Sequence, residues 1–159
     1  MKVLPIGYPL GFLPTGEYAI ERIKQQNINL STEEFVLWTQ GFLRDEPDNP
    51  ASFKSLIDKG AIIIYEDSVS LMKSLEHLVA MRFGEGWFQD GKICVVKDGK
   101  FYYLTETQHN IWLESNGIID AVSIFTKFND KSLNKNGSFI NDFCDSIFYL
   151  VKHELLCLK

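Results

Sequence analysis

The apolar positions of this chain change period several times, and each change marks an element. The opening run "LPIGYPLGFLPTG" is apolar, but its prolines and glycines are too dense for a helix. It predicts an extended arm that buries its side chains across the body or across a partner chain. Thr15 can cap a helix over residues 16–26, with Ala19, Ile20 and Ile23 inward and Glu21, Lys24 and Gln25 in water. In "LSTEEFVLW", Leu30 to Trp38, Ser31 and Glu34 suit a capping box and Leu30 can staple onto Phe35. Phe35, Trp38 and Phe42 then keep helical spacing. Pro47 and Pro50 enforce a turn, and a short helix carries Phe53, Leu56 and Ile57 to Gly60, which suits a left-handed helix end. "AIIIY" follows as a buried strand.

From Asp67 or Ser68 the steps between Val69, Met72, Leu75 and Val79 predict a connecting helix to about Phe83, closed by "GEGW". Gly84-Glu85-Gly86 follows a helix and lacks the third glycine of a dinucleotide fingerprint, so it is not read as a phosphate loop. "KICVVKDGKFYYLT" alternates around Asp98-Gly99, a hairpin signal. Thr105 and Gln108 suit a second capping box, on a helix that carries Ile111 and Trp112 to Gly117. "IIDAVSIFTKF" predicts a short helix and "NDKSLNKNG" a polar loop. "SFINDFCDSIFYLVKHE" predicts a long helix with Phe139, Ile140, Phe143, Ile147, Leu150 and Val151 on one side, and "LLCLK" a closing strand.

The chain therefore repeats itself. "LSTEEFVLW" is matched by "LTETQHNIW", each with a leucine eight residues before a tryptophan, and "SLIDKGAIII" is matched by "YLVKHELLCL". Helix, helix, turn, helix, strand is the order of a winged-helix unit. The expected fold is α+β: tandem winged-helix-like units, mainly helical with short hairpins. The expected organisation is an N-terminal arm and first unit over 1–67, a connecting helix over 68–86, and a second unit over 87–159.

Composition narrows the function classes. Of 159 residues 45% are hydrophobic, enough for a sizeable core. The net charge is -5, with seven Lys/Arg against ten Asp/Glu in residues 1–75 and nine against eleven in 76–159. Neither half is a basic module, which disfavours phosphate-driven nucleic-acid binding. Cys94, Cys144 and Cys157 are far apart, odd in number and without metal-site spacing, so they read as free thiols in a reducing cytoplasm. The N-terminal apolar run is interrupted too early for a signal peptide, and no run approaches the roughly 20 residues that span a bilayer. The three histidines, His77, His109 and His153, are not paired at ligand spacing. Cys144 beside Asp145 would need a converging histidine to act as a nucleophile. No constellation forms an active site, and no cofactor or metal is expected.

The second half, from "VVKDGKFYYLTETQHNIWLESNGIIDAVSIF" to "INDFCDSIFYLVKHELLCL", resembles the PqqD-like family of small winged helices over about residues 92–158. The shared pattern is a hairpin leading to a leucine, a capping residue, a helix with Ile-Trp, a glycine-ended turn, a second helix, a long third helix and a closing strand. This chain departs from it in the polar loop before the third helix and in its additional first half, a more divergent unit of the same kind. The resemblance implies a module that binds an unstructured peptide as an added strand, laid against the third helix.

Two functions follow. A peptide or partner protein, or a second copy of the chain docked through its arm, would use Phe101, Tyr102 and Tyr103 on the hairpin and Asp142, Asp145 and Tyr149 on the long helix. The alternative is a small DNA-binding regulator, using Lys54 and Lys59 on the first unit's short helix and Lys127, Lys131 and Lys135 before the third helix of the second. Asp142 and Asp145 on that helix would face phosphates, which favours the peptide reading.

Overall fold

The N-terminal arm is buried only at its start: Val3, Leu4 and Ile6 are inside, whereas Leu10 and Phe12, expected to be buried, are exposed. The computed structural model describes residues 1–22, 26–130 and 138–159. In it the arm opens as strand β1, Lys2–Pro5. Strands β2 (Tyr8–Phe12), β3 (Tyr18–Arg22) and β4 (Gln26–Leu30) follow as an antiparallel meander. Helix α1, Thr32–Leu43, starts at the Ser31/Glu34 capping box. A 3-10 turn over Pro50–Phe53 leads into α2, Lys54–Asp58, and then β5, Ile62–Tyr65, which pairs antiparallel with β1. Helix α3 covers Ser68–Ser74 and β6 covers Val79–Arg82. A second meander consists of β7 (Glu85–Gln89), β8 (Lys92–Lys97) and β9 (Lys100–Tyr103). Helix α4, Glu106–Glu114, starts at the Thr105/Gln108 capping box. Strand β10 (Asn116–Asp120), helices α5 (Ala121–Asn129) and α6 (Ser138–Lys152), and strand β11 (Leu156–Leu158) complete the chain.

This overturns the mainly helical, tandem winged-helix expectation. Among the described residues 41% are helical and 34% lie in strands, so the sheets carry nearly as much of the fold as the helices. Eleven strands among the described residues form four small antiparallel sheets. Two predicted helices account for the error. The segment 16–26 is a strand and the start of another: Tyr18, Ile20 and Arg22 of β3 pair with Leu30, Ile28 and Gln26 of β4. Within the predicted 68–86 helix only Ser68–Ser74 is α-helical. His77 turns the chain with a positive φ of 69°, and Val79–Arg82 then becomes the middle strand between β10 and β11. Its apolar spacing served a helix equally well; strand partners on both sides decided the outcome. "IIDAVSIFTKF" also divides, with Ile118–Asp120 in β10 and Asp120 capping α5 from Ala121. Ile23, Lys24, Gln25 and most of the polar loop lie outside the described residues.

The two similar stretches occupy matching places. The Trp38 indole donates to the carbonyl of Ile6 at 3.0 Å, just past β1, and the Trp112 indole donates to that of Phe83 at 2.9 Å, just past β6. The next residues, Gly7 and Gly84, both have positive φ. A Cβ on either would lie 2.8 Å from Ile20 or 2.7 Å from Val95, which hold the same position in the two meanders. Ala61 N–H donates to Leu56 O, and Leu155 N–H to Leu150 O, each at 2.8 Å. Each half is thus a strand, a three-stranded meander, a capped helix with a tryptophan anchor, and a closing helix and strand that pairs with the first strand. The second half adds β10 and α5 between its helices, where the first has a turn.

Two cores lie on either side of the β1/β5 ribbon. Val3 and Ile62 join Ile20, Leu30, Trp38, Phe53 and Leu56 in one. Leu4, Ile6 and Tyr65 join Trp112, Phe143, Ile147, Leu150 and Leu156 in the other. Alternation along a strand sends successive side chains to opposite faces, so this ribbon is buried on both. That is why "AIIIY" is apolar throughout.

Candidate functional site

Helix α6 buries Phe143, Ile147, Leu150 and Val151. The three- and four-residue steps that produce this stripe leave Asp142, Asp145, Tyr149, Lys152 and His153 on the flank. These five, with Asp45, Thr105, Gln108, Ser146 and Phe148, line an open groove of about 420 Å³. Thr107 Oγ1 on α4 donates to Asp142 at 2.7 Å, and Asp145 stands 3.8 Å from the Lys2 ammonium. The His153 ring lies 4.3 Å from that of Tyr149 and 5.7 Å from that of Tyr102, which ties α6 to β9. Lys152 is buried at the groove floor, its side chain 8% exposed. Its ammonium donates to the carbonyls of Gly41 and Arg44 and so closes the C-terminal end of α1. Burial pulls its pKa down to about 8, against the nearby charge of Asp45.

The predicted peptide residues are therefore divided by the fold. Asp142, Asp145 and Tyr149 share the groove, and Tyr102 reaches it through His153. Phe101 and Tyr103 point to the opposite face of β9 and are about half exposed, 51% and 52%. There Tyr103 and Trp87 flank the buried Cys94 across β8. β9 is an outer strand of its sheet, and among the described residues no strand pairs with its far side.

The alternative, nucleic-acid set fares differently. Lys59 is bound at 2.6 Å to Glu34 and at 3.0 Å to the carbonyl of Asn29. Lys127 pairs with Glu114 at 2.5 Å. Lys54 is exposed at the start of the five-residue α2. Lys131 and Lys135 lie outside the described residues. Two of the thiols are poor nucleophiles: burial pushes Cys144 up to about 11 and Cys157 up to about 12. Cys144 Sγ donates to Ser68 O at 3.6 Å. His109, half-buried beside Trp112, has its pKa lowered by burial. Among the described residues no three His, Cys, Asp or Glu side chains gather as metal ligands, and no helix is long and apolar enough to cross a membrane.

A second concavity, of about 390 Å³, lies between the halves, and sequence reasoning missed it. Tyr18, Phe35, Trp38 and Phe42 of the first half face Phe83, Leu156 and Cys157 of the second across it. Tyr18 and Phe35 are 4.2 Å apart and Trp38 meets Phe42 edge-on at 5.0 Å. Its polar end is Lys97, whose ammonium is 2.8 Å from Asp98 and 3.2 Å from Glu154. Burial works against the Lys97 charge, but the two carboxylates outweigh it and raise the pKa. Sequence placed the three α1 aromatics at helical spacing. That they line a cavity depends on Phe83, Lys97, Glu154, Leu156 and Cys157, all far along the chain, for which no local signal exists.

Comparison with known protein families, curated proteins and solved structures finds no match to this chain.

Proposed function

We propose that this protein is a cytoplasmic, non-catalytic recognition module that takes an extended peptide, or an extended segment of a partner protein, beside α6 and along the outer edge of β9. The observation that carries this reading is the joining of a polar groove on α6 to an outer strand, through the Tyr102–His153–Tyr149 contact. An outer strand offers a row of main-chain donors and acceptors, and the groove beside it offers side-chain selectivity. The PqqD-like resemblance of residues 92–158 belongs to the same proposal, because a peptide added beside the last helix is what it implies. The high pKa values of Cys144 and Cys157 argue against those two thiols as nucleophiles. Of the lysines of the alternative reading, Lys59 and Lys127 are engaged by Glu34 and Glu114, which weakens their hold on a phosphate.

The test is a phage-displayed library of random 12-residue peptides, followed by fluorescence anisotropy on the selected sequences. Selected peptides are expected to lose tenfold or more in affinity with Tyr103→Pro, which removes a strand donor, and with Asp145→Lys in the groove. Binding to random duplex DNA that falls steeply with salt, with no peptide selected, would overturn the proposal.

A further inference from the structure

The cavity between the halves is separate from the α6 groove, and its lining selects by charge and shape. Its volume of about 390 Å³ falls in the range of small-molecule sites, roughly 300–1,000 Å³. Four aromatic rings, Tyr18, Phe35, Trp38 and Phe42, build one wall in continuous contact. At the other end the lining holds Lys97 and Glu154, 3.2 Å apart, and Lys97 also meets Asp98 at 2.8 Å. Lys100 acts on Asp98 as well, so the charges at that end balance and Asp98 keeps cationic partners of its own. The ion pair beside Cys157, Lys159 with Glu21 at 2.8 Å, is likewise balanced. Ring faces are electron-rich and attract cations, and Glu154 is the carboxylate in the lining that can join them. Lys97 can keep Asp98, its nearer partner, while Glu154 turns to a new cation. Glu154 is held at the mouth by a left-handed turn, φ 53°, between α6 and β11.

We propose that this cavity binds a small organic cation with an apolar body, an aromatic or alkyl amine, its body against the Tyr18–Phe35–Trp38–Phe42 wall and its ammonium on Glu154.

Three probes of matched size decide the matter: 4-phenylbutylamine, 4-phenylbutanol and 4-phenylbutanoate, titrated into the full chain by calorimetry at neutral pH. The indole N–H signals of Trp38, Trp87 and Trp112 are followed by NMR in the same series. The amine is expected to bind at least tenfold tighter than the alcohol and the acid, and to move the Trp38 signal alone. Glu154→Gln should reduce amine affinity tenfold or more, while Asp142→Asn in the α6 groove leaves it unchanged. Thr39→Phe, which projects a ring into the cavity from α1, should abolish binding. Equal or tighter binding of the acid, no binding of the amine, an unaffected Glu154→Gln, or a shift at Trp87 or Trp112 instead would each overturn the proposal. Should Thr39→Phe fail to fold, the unmodified chain and Glu154→Gln still decide it.

Discussion

Glu34 shows how one side chain can hold two elements. It accepts from the Ser31 N–H at 2.8 Å as the third residue of α1, and from Ser55 and Lys59 at the two ends of α2. Burial alone would raise its pKa, but hydrogen bonds from Lys59, Ser55 and the Ser31 backbone outweigh that and bring it to about 2. A carboxylate depressed in the folded state adds stability that is fully present above its unfolded value, near 4.5, and is lost as pH falls through about 2. At roughly 1.4 kcal/mol per unit the contribution is at most about 3 kcal/mol, reduced by solvent screening at Lys59, whose side chain is 36% exposed. Glu34→Gln should therefore lower stability in urea at pH 7 and flatten its decline between about pH 4.5 and 2, relative to the parent chain. The capping half of this role was legible in "STEE", because cap and acceptor are three residues apart. The clamp on Lys59 was not, and it removes that lysine from the set expected to touch DNA.

At the scale of elements, the capped helices, the Asp98-Gly99 hairpin, the α6 stripe and the β5 and β11 strands were all legible. Each depends on neighbours within one turn or one hairpin. β3 and β6 were not, because their apolar spacing is ambiguous and their partners lie elsewhere in the chain. Gly84 belongs to this scale: it ends β6 with φ 84° and lies where a Cβ would come 2.7 Å from Val95 and 2.8 Å from the Val96 carbonyl. Gly84→Ala should destabilise the protein by about 2–4 kcal/mol, backbone strain and overpacking together. Gly99→Ala, with φ 73° and open space around it, should incur the strain alone, about 1–2 kcal/mol. Paired urea titrations of the two variants check this, and equal losses would mean that the close approach to β8 is unimportant.

The whole molecule is held together by its first strand pair. The β1/β5 ribbon presents Val3 and Ile62 to one core and Leu4, Ile6 and Tyr65 to the other. Gly7 N–H donates to Leu158 O at 2.7 Å, and Lys152 caps α1 from the far half. Fully burying a side chain such as Leu4, Ile6 or Tyr65 is worth roughly 1.5–3 kcal/mol. The three together approach the whole stability of a typical domain, about 5–15 kcal/mol. A fragment of residues 1–67 is therefore expected to show no cooperative thermal transition by circular dichroism, whereas the full chain should unfold in one. A cooperative melt of the fragment would show that the first half stands alone.

The chain by itself determined the capped starts of α1 and α4, the hairpin at Asp98-Gly99 and the buried face of α6, since those outcomes rest on contacts three or four residues apart. Tertiary structure decided that residues 79–82 form a middle strand, that Lys152 closes the end of α1, and that an aromatic wall of the first half lines a cavity against the second. Strand pairing and cavity lining join residues from tens to more than a hundred positions apart, and a local pattern carries no record of such partners.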